Sequence, residues 1–115
     1  MKPVVLLDTG PLVAFLHAGD NHHCWAREQF SQFEAPLLTC EAVIAESCHL
    51  LRRIPNAPTW VLQMIERGSI RIDLSLQQEN AAICALFRRY RDRQASLADI
   101  CLVRMSEIHE PSVVL

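Results

Sequence analysis

The sequence predicts a three-layer α/β fold with a mostly parallel central sheet, and three observations carry that prediction. Val4, Val5, Leu6 and Leu7 run unbroken near the start, which marks a strand covered on both faces, as in a parallel sheet. Short apolar or alternating stretches return at residues 36–39, 70–74 and 111–115. The segments between them carry helix starts and stops, so strands and helices alternate along the chain.

The first strand, over residues 2–8, ends at Asp8. Thr9 is placed to cap the following helix, with Pro11 in its first turn. Gly19, Asp20 and Asn21 end that helix and open a second, over about 22–34, which carries Trp25, Phe30 and Phe33. The strand at 36–39 leads into a helix over 41–53, closed by Ile54, Pro55 and Asn56. Pro58 starts the next helix, which runs to Gly68, a C-terminal glycine. The alternation of Ile70, Arg71, Ile72, Asp73 and Leu74 reads as a strand. Ser75 caps a long helix to about Arg93, and Ser96 caps another to His109. In such folds ligands bind outside the carboxyl ends of the strands, and Asp8 stands at that end of the first.

At 115 residues the chain is one domain, 1–115, with enough length to bury a core. Half the residues are hydrophobic and the formal charge is −2, so disorder is excluded and no global field announces a polyanionic partner. The basic residues are Arg except Lys2. No signal-type start and no membrane-spanning stretch is present. The five cysteines, Cys24, Cys40, Cys48, Cys84 and Cys101, form no C-x-x-C pair and sit mostly among apolar neighbours. A reduced, cytoplasmic protein with no membrane partner is the expectation.

Three acids stand out by context. Asp8 ends an apolar run, and a charge there must cap something, pair with something or hold a cation. Glu46 lies within the apolar helix EAVIAESCHLL, on a narrow polar stripe shared with Glu41, His49 and Arg53. Asp99 lies three residues past Ser96 in SLADICLV. Each has a plain structural account: a helix cap for Asp8, a surface position for Glu46, and a capping box with Ser96 for Asp99. Taken together, acids gathered by a fold repel unless a cation sits between them. Mg²⁺ takes one or two carboxylates and keeps waters with which to meet a phosphate.

The segments VVLLDTGPLVAFL, LLTCEAVIAESCHLL and YRDRQASLADICLVRMSE resemble, in order and over essentially the whole chain, the PIN-domain ribonucleases found as toxins of VapBC toxin–antitoxin pairs. That resemblance implies that Asp8, Glu46 and Asp99 are catalytic, metal-holding acids for Mg²⁺ or Mn²⁺. Thr9 and Ser96 would orient carboxylates or bound water. The implied reaction is metal-dependent hydrolysis of RNA phosphodiesters, leaving 5′-phosphate and 3′-hydroxyl ends. The implied partners are RNA, an antitoxin protein and a second copy of the chain, with Trp25, Phe30 and Trp60 as groove, dimer or plain core residues. The family usually carries a fourth acid in a Thr-x-Asp segment after its last core strand. This sequence stops at PSVVL, so the expectation is a PIN-like domain lacking its C-terminal segment. The second reading is a PIN-like module that binds RNA or protein without cutting.

The densest basic stretch is Arg88, Arg89, Tyr90, Arg91, Asp92 and Arg93. It offers cations for an RNA backbone and Tyr90 for stacking, or simply a solvated helix end suited to the macrodipole. His22, His23 and Cys24 fit no zinc-ligand spacing. No cysteine is marked as an activated nucleophile. A dehalogenase-type phosphatase would need a second acid at Gly10, and a receiver domain would need a later lysine.

Overall fold

The computed structural model describes residues 3–115. Four short strands, β1 (Val4–Leu6), β2 (Leu37–Thr39), β3 (Ile70–Ile72) and β4 (Ser112–Val114), form one sheet in the order β3-β2-β1-β4. Every pairing is parallel, with Leu6 opposite Leu38, Val5 opposite Val113 and Leu38 opposite Arg71. Six helices connect them: α1 (Thr9–Leu16), α2 (His23–Gln32), α3 (Glu41–Leu50), α4 (Ala57–Glu66), α5 (Leu76–Arg89) and α6 (Leu97–Ile108).

The unbroken apolar run at the start has a direct cause in this arrangement. Successive side chains of a strand point to opposite faces. Leu6 packs with Ile83, Leu86, Ile100 and Met105 beneath α5 and α6. Val5 and Leu7 pack on the other side with Leu12, Ile44 and Val61 of α1, α3 and α4, and with Leu51 just past α3. With helices on both faces, neither side of β1 tolerates a polar residue until the strand ends. Leu6, Leu7 and Leu12 are fully buried, and truncating a core leucine of this kind to alanine costs about 2–5 kcal/mol.

Several element ends differ from the sequence reading. Asp8, not Thr9, is the N-cap of α1. The strand expected from residue 2 is seen from Val4, and Lys2 lies outside the described residues. Helix α3 stops at Leu50 instead of continuing to 53. There the Arg52 guanidinium turns back and donates to the His49 carbonyl at 2.8 Å, satisfying a helix-end acceptor. Helix α5 stops at Arg89, followed by a 3₁₀ turn over Arg91–Arg93. Gln94 is left-handed at φ 51 and cannot prolong a helix. Gly68, at φ 80, supplies the left-handed turn after α4 that a side chain would resist. Among the described residues no helix is long and apolar enough to cross a membrane.

Candidate active site

Strand β1 carries the chain into Asp8 at the carboxyl end of the sheet. The strand ends there are tied together: Leu7 N donates to the Leu38 carbonyl at 2.7 Å, and the buried Thr39 hydroxyl donates to the Leu7 carbonyl at 2.8 Å. Asp8 Oδ1 accepts the Thr9 amide at 2.7 Å and so caps α1. Thr9 itself is buried, and its hydroxyl donates to Glu46 Oε2 on α3 at 3.3 Å. One residue thus touches two carboxylates, through its backbone and through its side chain, across 37 positions of sequence. Helices α1 and α3 both begin at this end of the sheet. Their N-terminal amides and positive dipole ends favour an anion there.

Asp99 is held differently. Its Oδ2 accepts the Ser96 amide at 3.0 Å, while Ser96 Oγ accepts the Asp99 amide at 3.1 Å. This is a complete capping box at the start of α6. The Ser96 hydroxyl therefore meets the Asp99 backbone, and it is the Ser96 N–H that holds the carboxylate. The starts of α3 and α6 face a shared apolar cleft of about 340 Å³ lined by Cys40, Glu41, Leu97 and Cys101. Burial pushes the Cys40 thiol up, opposed by the Val43 and Ala42 amides at the start of α3. Burial and neighbouring Cys40 push Cys101 up to about 11. Both thiols are held protonated at neutral pH, so neither is an activated nucleophile. All five cysteines are free.

The basic stretch spreads out on the surface. Arg88, Arg89 and Arg91 are exposed, whereas Arg93 covers the Tyr90 ring at 5.9 Å. Tyr90 is packed against the core beneath α5 and α6, which removes one ring face from any stacking role. His23 donates through Nδ1 to the Ala14 carbonyl at 2.7 Å and is a strut between α1 and α2. Phe30 stacks on Phe15 with ring centroids 4.2 Å apart, while Trp25 and Trp60 stay exposed. His49 is exposed beside Arg52. Glu107 pairs with Arg104, which also holds Glu79 at 2.7 Å. Sequence reasoning passed over Thr39, whose hydroxyl joins β2 to the residue before Asp8. A lone threonine at the end of LLT was the available signal.

Among the described residues, no group of three or more His, Cys, Asp and Glu side chains is disposed to hold a metal ion. The pair linked by Thr9 does fit a hard cation. Mg²⁺ uses one or two carboxylates and fills its remaining positions with water, a donor set that Asp8 and Glu46 would supply. Each retains an oxygen with no protein partner among the described residues.

The PIN-domain family profile matches residues 5–113. Among solved structures, the VapC20 toxin of Mycobacterium tuberculosis, described as cleaving the sarcin–ricin loop, superposes with a TM-score of 0.79. The two chains are 18% identical, and the match covers 96% of this chain and 88% of VapC20. No curated protein matches this chain by sequence. At that identity the superposition speaks for the fold, and it reproduces the parallel α/β architecture built above. With the profile matching nearly its whole length, the chain belongs to the PIN-domain family.

Proposed function

We propose that this chain is a divalent-metal-dependent endoribonuclease, the toxin of a toxin–antitoxin pair, with Asp8, Glu46 and Asp99 as its catalytic acids. The observation that carries this reading is the Asp8–Thr9–Glu46 linkage at the carboxyl end of a parallel sheet in a PIN-family chain. Asp8 and Glu46 would hold Mg²⁺ or Mn²⁺, and the Asp99 oxygen not engaged by Ser96 would complete the acidic set. When bound, the ion lowers the pKa of a water molecule and neutralises charge on a scissile phosphate.

The chain's own residues would do the rest. Thr9, itself buried, donates to the exposed Glu46 and would orient that carboxylate. The amides at the starts of α1 and α3 favour the phosphate electrostatically. Exposed Arg88, Arg89 and Arg91 supply cations for the flanking backbone. Exposed Trp60, Leu62 and Leu50 on α3 and α4 give an apolar surface for an antitoxin or a second copy.

The test is cleavage of a structured RNA pool with Mn²⁺, Mg²⁺ or chelator, beside Glu46→Gln. The expected result is metal-dependent cutting that falls by more than about 100-fold in the variant, beyond the 10–100-fold typical of residues that merely support a metal ligand. Cutting that survives chelation, or survives the variant, would contradict it. A second reading is favoured by the complete capping box at Asp99: a PIN-like module that binds RNA or protein without cutting. Its mark would be RNA binding by a folded chain that is silent with either metal.

A further inference from the structure

A second concavity opens near Asp8, between α1 and the turn into α2. It measures about 530 Å³ and is lined by Gly10, Pro11, Ala14, Asp20, His22 and Trp25. That volume falls in the roughly 300–1,000 Å³ range of small-molecule sites. Its floor begins two residues after Asp8, so the Gly10 and Asp8 Cα atoms are at most about 7.6 Å apart. No atom lies within 4 Å of where a Gly10 Cβ would stand, so the floor is open.

The walls are fixed before any ligand arrives. His23 bonds the Ala14 carbonyl, Phe15 stacks on Phe30, and the His22 amide donates to Asp20 Oδ1 at 2.8 Å. Against this rigid frame Trp25 is 47% exposed. A large aromatic left half in water on a braced helix costs solvation and calls for a flat apolar partner. The rim chemistry narrows the choice. No arginine or lysine lines the cleft, and Asp20 brings an acceptor that repels phosphate but suits the N–H donors of a base edge.

We infer that this cleft is a nucleobase subsite, in which an unpaired base next to the scissile phosphate stacks on Trp25 with its polar edge toward Asp20 and His22. The inference rests on the nuclease reading and names the part of the RNA that this side of the site receives. It assigns Trp25 to substrate and separates it from Trp60, the other tryptophan of the chain. Base–aromatic stacking is tolerant of base identity, so Trp25 sets the requirement for an unstacked nucleotide and the rim sets preference among bases.

The experiment uses Trp60→Phe, in which Trp25 is the sole indole, titrated with a short single-stranded oligoribonucleotide in chelator. Trp25→Ala and Trp25→Phe are titrated beside it by fluorescence anisotropy of labelled RNA. The expected result is quenching of the Trp25 emission on binding. Affinity should fall about 5- to 150-fold in Trp25→Ala, with recovery in Trp25→Phe. Replacing single bases by abasic sites should find one position that reproduces the Trp25→Ala loss. Equal affinity in all three chains, with Glu46-dependent cutting intact, would overturn the subsite and leave the nuclease reading standing. Absence of both RNA binding and cutting would overturn both. Quenching by an amphipathic helical peptide but not by RNA would also overturn the subsite and give this face to a protein partner.

Discussion

Two helices of this domain use an acid in their N-terminal caps, Asp8 at α1 and Asp99 at α6, and they use it in opposite ways. At α6 the Ser96–Asp99 box closes on itself: two residues three apart satisfy each other's amides, and every bond is local. At α1 the cap is equally local, Asp8 to the Thr9 amide, but the next bond leaves the helix and reaches Glu46. A capping box engages one oxygen of Asp99 and leaves the other outside the box. A cap whose neighbour also holds a second carboxylate across 37 positions does more than start a helix, because it ties acids of two different elements to one residue. The difference separates an acid held within its own helix from one tied, through Thr9, to a carboxylate on another helix.

The sharpest way to probe that contrast inside the protein is Thr9→Val, which keeps the buried volume and removes the hydroxyl. The expected loss of metal-dependent cleavage is about 10–100-fold, with a small change in melting temperature. An unchanged rate would mean that the Thr9–Glu46 bond is packing alone.

At the other helix, Ser96→Ala removes one half of the box. It should cost about 0.5–2 kcal/mol of stability, read by denaturant titration, while sparing the metal-dependent rate of the folded fraction. Asp99→Asn sharpens this: under the nuclease reading it loses cutting out of proportion to stability, and under the binding-module reading it loses stability only. The smallest effect is expected at Ser47, whose fully buried hydroxyl has no partner among the described residues. Ser47→Ala removes an unpaid desolvation cost, so stability should stay level or rise by about 1 kcal/mol. A clear loss would reveal a hidden partner for that hydroxyl.

Much of this was legible from the chain. Val4 to Leu7 announced a strand covered on both faces because a parallel sheet offers no wet side, and S-x-x-D announced the α6 cap because that motif is local. The α1 cap could be read at either Asp8 or Thr9, since both residue types cap well, and the backbone settles it on Asp8. The helix ends at Leu50 and Arg89 lie short of the pattern because local events there are invisible to periodicity: Arg52 folds onto the His49 carbonyl, and a 3₁₀ turn with left-handed Gln94 follows Arg89. The Thr9–Glu46 and Thr39–Leu7 bonds could not be read from spacing, because the sheet order that creates them is a property of the whole fold. Tyr90 looked like a stacking residue among arginines, yet its ring is taken by the core and by Arg93.

The measurement that bears most directly on the account is cleavage by Asp8→Asn, with its melting temperature taken on the same sample. Asparagine caps a helix about as well as aspartate, so the Thr9 amide keeps its acceptor and the fold keeps its stability. The account predicts an unchanged melting temperature and loss of metal-dependent cutting by more than about 100-fold. Cutting at the parent rate by Asp8→Asn would show that the carboxylate is there only to start a helix, and the central claim would fall.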